Sequence, residues 1–360
     1  MPKKSLSGQS WDGRWSKILK PGNQIITRPQ KFLSTGSPSL DIGLQGGFPV
    51  GHIVRVYGKK GMCKTTLSQR CAARAMLDNI NVYWLDTESA FEPTIAAANG
   101  IDLDSDKFMV WSFDPTEELS LSFETMSHFF DDMMVDKKRN PDGSLFIVDS
   151  WSALRTAAHL AGNIEDSIMA KVAQLSAIYF PKLCAMLKKT DSTLLCLQQQ
   201  RAVIGGMGYE TESPGGGYAL QHYAYTEIKL QNAGKEEHGY RVKFNIVANK
   251  TAHGGVVGEF YFDNRYGIDT ARELIDLSVD VDLIKKGGAW YTSDLFGESV
   301  RFQGADNFTA WLYEHPKYLS VLEKAVMTKY MNKTGGVKPD VGIDEPIDEG
   351  YNQAMFTDER

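Results

Sequence analysis

Along the middle of the chain, short apolar runs alternate with stretches whose apolar residues recur at helical spacing. HIVRVYG, NVYWLDTE, KFMVWSF, SLFIVDS and STLLCLQQQ are rich in β-branched and aromatic residues, and each follows a polar or glycine-containing boundary. They predict buried strands. KTTLSQRCAARAMLDN, EELSLSFETMSHFFDDMM and SIMAKVAQLSAIYFPKLCAMLKK lie between them and predict amphipathic helices. Pro181 is expected to kink or interrupt the third, because it lacks an N–H and its ring meets the preceding turn. Strands and helices in alternation build an α/β fold with a mainly parallel sheet covered on both faces. From about Tyr223, the runs YAYTEIKL, YRVKFNIVAN and GEFYFDN predict an antiparallel extension, which ends the core near Tyr266. A smaller α+β unit, two or three helices around a short hairpin, is expected to begin near Asp269.

Length agrees with that division, since 360 residues hold one large core and a smaller module. The predicted parts are 1–31, a core over 32–268, a C-terminal α+β domain over 269–332 and an acidic tail over 333–360. No internal repeat is visible, which excludes solenoids and propellers. No apolar run approaches the roughly 20 residues of a membrane helix, and the first residues lack the apolar core of a secretory signal. Cys63, Cys71, Cys184 and Cys196 are scattered without a CxxC pair, against zinc and against a disulfide framework. A cytoplasmic protein without a membrane partner is the expectation.

The formal charge of -6 argues against a large basic footprint for nucleic acid. The average hides an asymmetry. Lys3, Lys4, Arg14, Lys17 and Lys20 load the N-terminal segment, whereas PDVGIDEPIDEGYNQAMFTDER is mostly acidic, and without it the remainder is close to neutral. That tail reads as a solvated end or as a regulatory one.

Chemistry enters with YGKKGMCKTT, which follows a strand and opens a helix, the setting of a phosphate-binding loop. Gly58, Lys59, Lys60, Gly61, Met62, Cys63, Lys64, Thr65 and Thr66 form the frame. Backbone N–H groups of such a loop converge on ATP phosphates, the lysine neutralises β and γ charge, and the hydroxyl of Thr65 ligates Mg²⁺. Cys63 occupies the place of the motif's second glycine, where a Cβ resists the backbone at about 1–2 kcal/mol. Slow hydrolysis is one consequence. SLFIVDSWSAL delivers Asp149 to a strand end as a second metal-binding oxygen, and NVYWLDTE delivers Asp86 and Glu88, the latter the candidate for polarising the attacking water.

In this order and spacing the three motifs resemble the RecA family, from about Phe32 to Met331. STGSPSLDIGLQGGFPVGHIVRVYGKKGMCKTT looks like that family's approach to its nucleotide loop, LDTESAFEP like its catalytic-glutamate segment, and GGAWY ahead of DNFTAWLYEHP like its C-terminal domain. The resemblance implies a P-loop NTPase core whose catalytic glutamate is Glu88, with Glu92 and Ile95 beside the adenine and Gln199 sensing the γ-phosphate. It implies that Met169, Arg201, Ile204, Gly216 and Gly217 contact DNA. By composition alone, the glycine-rich segment RAVIGGMGYETESPGGGYALQHYA has too few apolar anchors to pack by itself and is expected to be disordered until a ligand orders it. Lys250 falls where the family reaches a neighbouring subunit's phosphate, although Ala248 replaces a second lysine. The segment with Trp11, Trp15, Ile18 and Leu19 differs most from the family's first helix, and reads either as an oligomer contact or as a frayed end.

Three functions follow. The first is an ATP-dependent recombinase that self-assembles into helical filaments on single-stranded DNA and pairs it with a homologous duplex. The second is a scaffold that holds ATP without cleaving it. The third is a ring-shaped motor, against which the GGAWY unit counts.

Overall fold

The apolar runs become strands because the sheet they form is covered on both sides, so that successive side chains each find a core. The computed structural model describes residues 30–114, 120–162, 168–203, 211–214, 218–251, 254–297 and 299–334. Its first elements are β1 (Phe32–Leu33), α1 (Pro38–Gly43), β2 (Phe48–Pro49), β3 (Ile53–Gly58), α2 (Lys64–Leu77), β4 (Asn81–Asp86), α3 (Pro93–Ala98) and β5 (Phe108–Ser112). Next come α4 (Phe123–Val135), β6 (Ser144–Asp149), α5 (Ala157–Leu160), α6 (Ile168–Thr190), β7 (Thr193–Val203), β8 (Thr211–Pro214) and α7 (Tyr218–Tyr223). Three long strands follow, β9 (Thr226–Glu236), β10 (Gly239–Asn249) and β11 (Val256–Asp263), then β12 (Gly267–Ile268). The chain ends in α8 (Thr270–Asp280), β13 (Lys285–Gly287), β14 (Trp290–Ser293), β15 (Val300–Gln303), α9 (Ala305–Glu314) and α10 (Pro316–Thr334).

One large sheet has the order β12, β11, β10, β9, β3, β7, β6, β4, β5, with β8 paired to β7. The strands from β9 to β5 are parallel, and β10, β11 and β12 continue antiparallel from β9. Val54, Val56, Trp84, Ile147 and Leu195 face one apolar cluster, closed by Leu67 and Cys71 of α2. Their neighbours Ile53, Tyr83, Phe146 and Leu194 face the other, closed by Phe130 of α4 and Phe180 and Leu183 of α6. Two-residue alternation therefore builds a helix layer on each side, the α/β architecture that the pattern predicts.

Several elements depart from expectation. Helix α6 runs through Pro181 without a break. Phe180, Leu183 and Leu187 are fully buried on one side of it, and three such side chains at about 2 kcal/mol each outweigh the roughly 3 kcal/mol of a helical proline. Helix α4 starts only at Phe123, because Ser122 and Thr125 close a reciprocal cap there. Strand β5 is buried only at Phe108: it is the sheet's last strand, and Met109 and Val110 are 36% and 38% exposed. Backbone pairing of Gln200–Val203 with Thr211–Pro214 gives a ribbon where the glycine-rich segment was expected to have no structure. Ladder hydrogen bonds supply what the missing apolar anchors do not.

Beyond Ile268 the expected hairpin is a three-stranded antiparallel sheet, β13, β14, β15, carrying three helices. A third apolar cluster, centred on Leu274, Ile275, Phe308, Leu312 and Leu322, holds this part together. Asp269 caps α8 by accepting from Arg272 N. Ser37 Oγ and Ser39 N donate to the buried Glu273 at 2.7 and 3.0 Å, which ties α8 to the start of α1. By its internal contacts Phe32–Arg360 is one unit and Met1–Lys31 another. Trp11, Trp15, Ile18 and Leu19, and the acidic tail, lie outside the described residues. Among the described residues no helix is long and apolar enough to cross a membrane.

Candidate functional site

Strand register brings the candidate residues to one rim of the sheet. Gly58 at the end of β3 lies opposite Gln199 of β7, and Asp86 at the end of β4 lies opposite Asp149 of β6. Ligands of parallel sheets bind at this carboxyl rim, where loops leave room and helix N-termini point inward. Gly58 is required sterically, since a Cβ there would stand 2.5 Å from the Leu230 carbonyl oxygen on β9. Gly61 (φ +78°) and Cys63 (φ 53°, ψ 19°) both take the left-handed conformation that folds the loop back. Met62 is half-buried, while Lys59 and Lys60 are exposed.

Helix α2 then starts without any side-chain cap. Its first N–H groups are left for an external acceptor, and the helix dipole favours an anionic one. Lys64 Nζ is folded into the loop, donating to the carbonyls of Gly58 at 3.1 Å and Lys59 at 2.8 Å. Burial holds its ammonium below the usual lysine range, against the opposing pull of Asp149 and Glu88. Thr65 Oγ1 donates to Asp149 Oδ2 at 2.8 Å. Burial pushes the Asp149 carboxyl up to about 6, reinforced by the Glu88 and Asp86 charges and opposed by Thr65 and Lys64. A buried carboxylate in that condition favours a cation.

Glu88 is exposed at the same rim and accepts twice from Gln199 Nε2, at 3.1 Å to each carboxylate oxygen. Ser150 Oγ also donates to Glu88. Ser152 Oγ lies 2.9 Å from Ser150 Oγ and accepts from Gln199 N at 3.3 Å. The two serines thus form a second path between Glu88 and β7, which the sequence reading missed. Their signal was the spacing D-S-W-S, in which Ser150 and Ser152 bracket the buried Trp151. Asp86 turns away from the site: its carboxylate accepts from Ala90 N at 3.1 Å and Phe91 N at 2.8 Å, closing the turn that carries Glu88.

Glu92 is the N-cap residue of α3, accepting from Thr94 Oγ1 at 3.0 Å, and Ile95 is 53% exposed one turn on. Thr66 faces the other way, its Cγ2 lying 3.8 Å from the position a Cβ would take on Gly267 of β12.

Lys250 does not join this group. Asn249 at the end of β10 pairs with Thr226, and Thr226 with Val54, near the beginning of β3. Four residues of strand, about 13 Å, separate that level from Gly58. There Lys250 lies 5.8 Å over the Tyr225 ring, and Tyr225 stacks on His52 at 3.7 Å. Met169 and Arg201 lie on α6 and β7, with only their backbones described. Ile204, Gly216 and Gly217 lie outside the described residues.

Chemically the arrangement can receive an anion and a cation side by side: an uncapped helix start and a buried lysine in a left-handed loop, with a hydroxyl–carboxylate pair and a further carboxylate beside them. Comparison with known families agrees over almost the whole chain. The family model for the RecA N-terminal domain matches residues 13–267. That for the RecA C-terminal domain matches residues 272–331. On this site and these two matches, the chain belongs to the RecA family of recombinases.

Proposed function

We propose that the protein is an ATP-dependent DNA recombinase that assembles into helical filaments on single-stranded DNA and exchanges strands with a homologous duplex. The observation that carries this reading is the convergence of Lys64, Thr65, Asp149, Glu88 and Gln199 on one rim of the sheet.

In this reading the loop from Gly58 to Thr66 cradles the phosphates, and Lys64 leaves its carbonyl partners to neutralise β and γ charge. Thr65 and Asp149, 2.8 Å apart, are the hard oxygen donors that Mg²⁺ takes. Bound there, Mg²⁺ supplies charge neutralisation on the phosphate oxygens. Glu88 accepts a proton from the attacking water, and Ser150 holds it in place. Glu92 and Ile95 flank the adenine.

Gln199 has two partners to choose from. With Glu88 as acceptor it rests as seen; a γ-phosphate offers a stronger, charged acceptor, and β7 carries that exchange into the β7–β8 ribbon. Met169, Arg201, Ile204, Gly216 and Gly217 are assigned to DNA on family resemblance. Lys250, at the opposite rim of its own sheet, serves the site of an adjoining copy. Residues 1–31 are assigned to assembly, 32–268 to the ATPase core, 269–332 to a C-terminal domain and 333–360 to a tail, in a cytoplasmic protein. The strained Cys63 and the absence of a lysine at Ala248 predict slow turnover.

ATPase activity titrated with single-stranded DNA, read beside electron micrographs, tests this reading. Stimulated hydrolysis with helical filaments is expected. Rings, or ATP held without DNA-stimulated hydrolysis, would replace it with the motor or the scaffold.

A further inference from the structure

Cys63 stands where the phosphate loop turns left-handed; its carbonyl accepts from Leu67 N at 2.9 Å, but its side chain caps nothing in α2. A side chain resists this conformation by about 1–2 kcal/mol, and α2 gains no side-chain cap in return. A restraint comes instead from β10. Tyr240 Oη donates to the Gly61 carbonyl at 2.8 Å and lies 3.0 Å from Cys63 Sγ. A phenol carries one proton. With that proton on Gly61, the thiol is the donor of the second bond, and the chain of bonds runs from Cys63 S–H to Tyr240 O–H to the Gly61 carbonyl.

The tyrosine is itself held. Its ring packs 5.0 Å from Phe262, its cross-strand partner on β11. A trans peptide directs the C=O of Gly61 and the N–H of Met62 to opposite sides. Fixing that carbonyl on Tyr240 therefore aims the Met62 N–H away from β10, toward the side on which a phosphate is bound. Two bonds from one side chain act on both left-handed residues of the loop.

We propose that Tyr240 is a positioning residue of the phosphate loop, doing through Cys63 and Gly61 what a second glycine does unaided. This rests on the reading of the loop as a nucleotide site. Tyr240 touches no reacting atom; it fixes the donors that do.

The test is a double-mutant cycle on the full chain, with Mg·ADP affinity measured by calorimetry and ATP turnover at saturating single-stranded DNA. Tyr240→Phe keeps the ring on Phe262 and removes both bonds, and is expected to weaken Mg·ADP about tenfold, two bonds at roughly 0.5–1 kcal/mol each. KM for ATP rises by a similar factor, with kcat changed less than about twofold, because the donors hold ground state and transition state alike. In a Cys63→Gly background only the Gly61 bond is left to lose, and the same substitution is expected to cost about threefold, one bond's share. Equal losses in the two backgrounds, or none in the parent, would overturn the proposal. So would a fall in kcat with KM unchanged. An inability of the parent itself to bind Mg·ADP would instead overturn the nucleotide reading on which the proposal rests.

Discussion

The two rims of the central sheet hold charged groups in opposite conditions. At the carboxyl rim, Lys64, Asp149, Glu88 and Gln199 are tied to one another or to loop carbonyls that a triphosphate would replace. At the amino rim, Lys250 lies over Tyr225, and burial beside Lys188 and Lys250 holds His52 down at about 4. Between them, Arg55 pairs with Glu227 and Gln198 in the sheet interior, almost wholly buried. The middle pair is satisfied within the fold, and breaking it would leave a buried charge alone. The difference is one of place: the proposed phosphate site gathers at one rim, and Lys250 lies about 13 Å away along the strands. Copies stacked rim to rim would bring the two together.

The contrast is broken most severely by Lys64→Ala, which removes the only lysine buried in the loop. Mg·ADP affinity should fall at least about a hundredfold in calorimetry, and nucleotide-dependent filaments should vanish from micrographs. Glu88→Gln keeps an acceptor for Ser150 but no base. Its kcat should drop about a hundredfold or more while Mg·ADP still binds. Lys250→Ala separates the rims: turnover on DNA should fall about tenfold, with Mg·ADP affinity of the dispersed protein changed less than twofold. A large affinity loss in that variant would place Lys250 in its own chain's site.

The smallest effect belongs to Glu273, which lies at neither rim. Burial pushes its carboxyl up to about 8, with the Ser37 and Ser39 bonds pulling down, and Oε1 is buried without a partner. A raised value means that the folded chain holds the proton more tightly than the unfolded one. The stability this gives is complete below the ordinary carboxylate range and is lost as pH rises toward about 8. Glu273→Gln should therefore raise the melting temperature at pH 8 by several degrees, about 1–2 kcal/mol, and leave it unchanged at pH 4, with turnover unaffected at both.

What could be read from the sequence follows from the range of the forces involved. β3, β4 and β6 are legible because buried parallel strands need apolar side chains on both faces, and nothing else in a short run looks like that. Lys64, Thr65 and Asp149 are legible because each sits at a fixed offset from such a strand. β5 was misjudged because its composition is that of a buried strand, while its place at the sheet's edge is set by topology. Of the kink or interruption expected at Pro181, the interruption does not occur, because its penalty is local and the burial that offsets it is tertiary. Tyr240 carried no local signal at all, being 177 residues from the cysteine it touches. The only hint was an absence, the missing glycine at Cys63, which required that something else hold the turn.

The proposed coupling runs from Gln199 into the adjoining β7–β8 ribbon, and one titration measures it. A labelled single-stranded oligonucleotide is followed by fluorescence anisotropy with Mg·ATP, with Mg·ADP and without nucleotide, for the parent and for Gln199→Ala. DNA affinity should be at least about tenfold higher with Mg·ATP in the parent, a difference largely lost in Gln199→Ala. Identical affinity in all three conditions for the parent would contradict it.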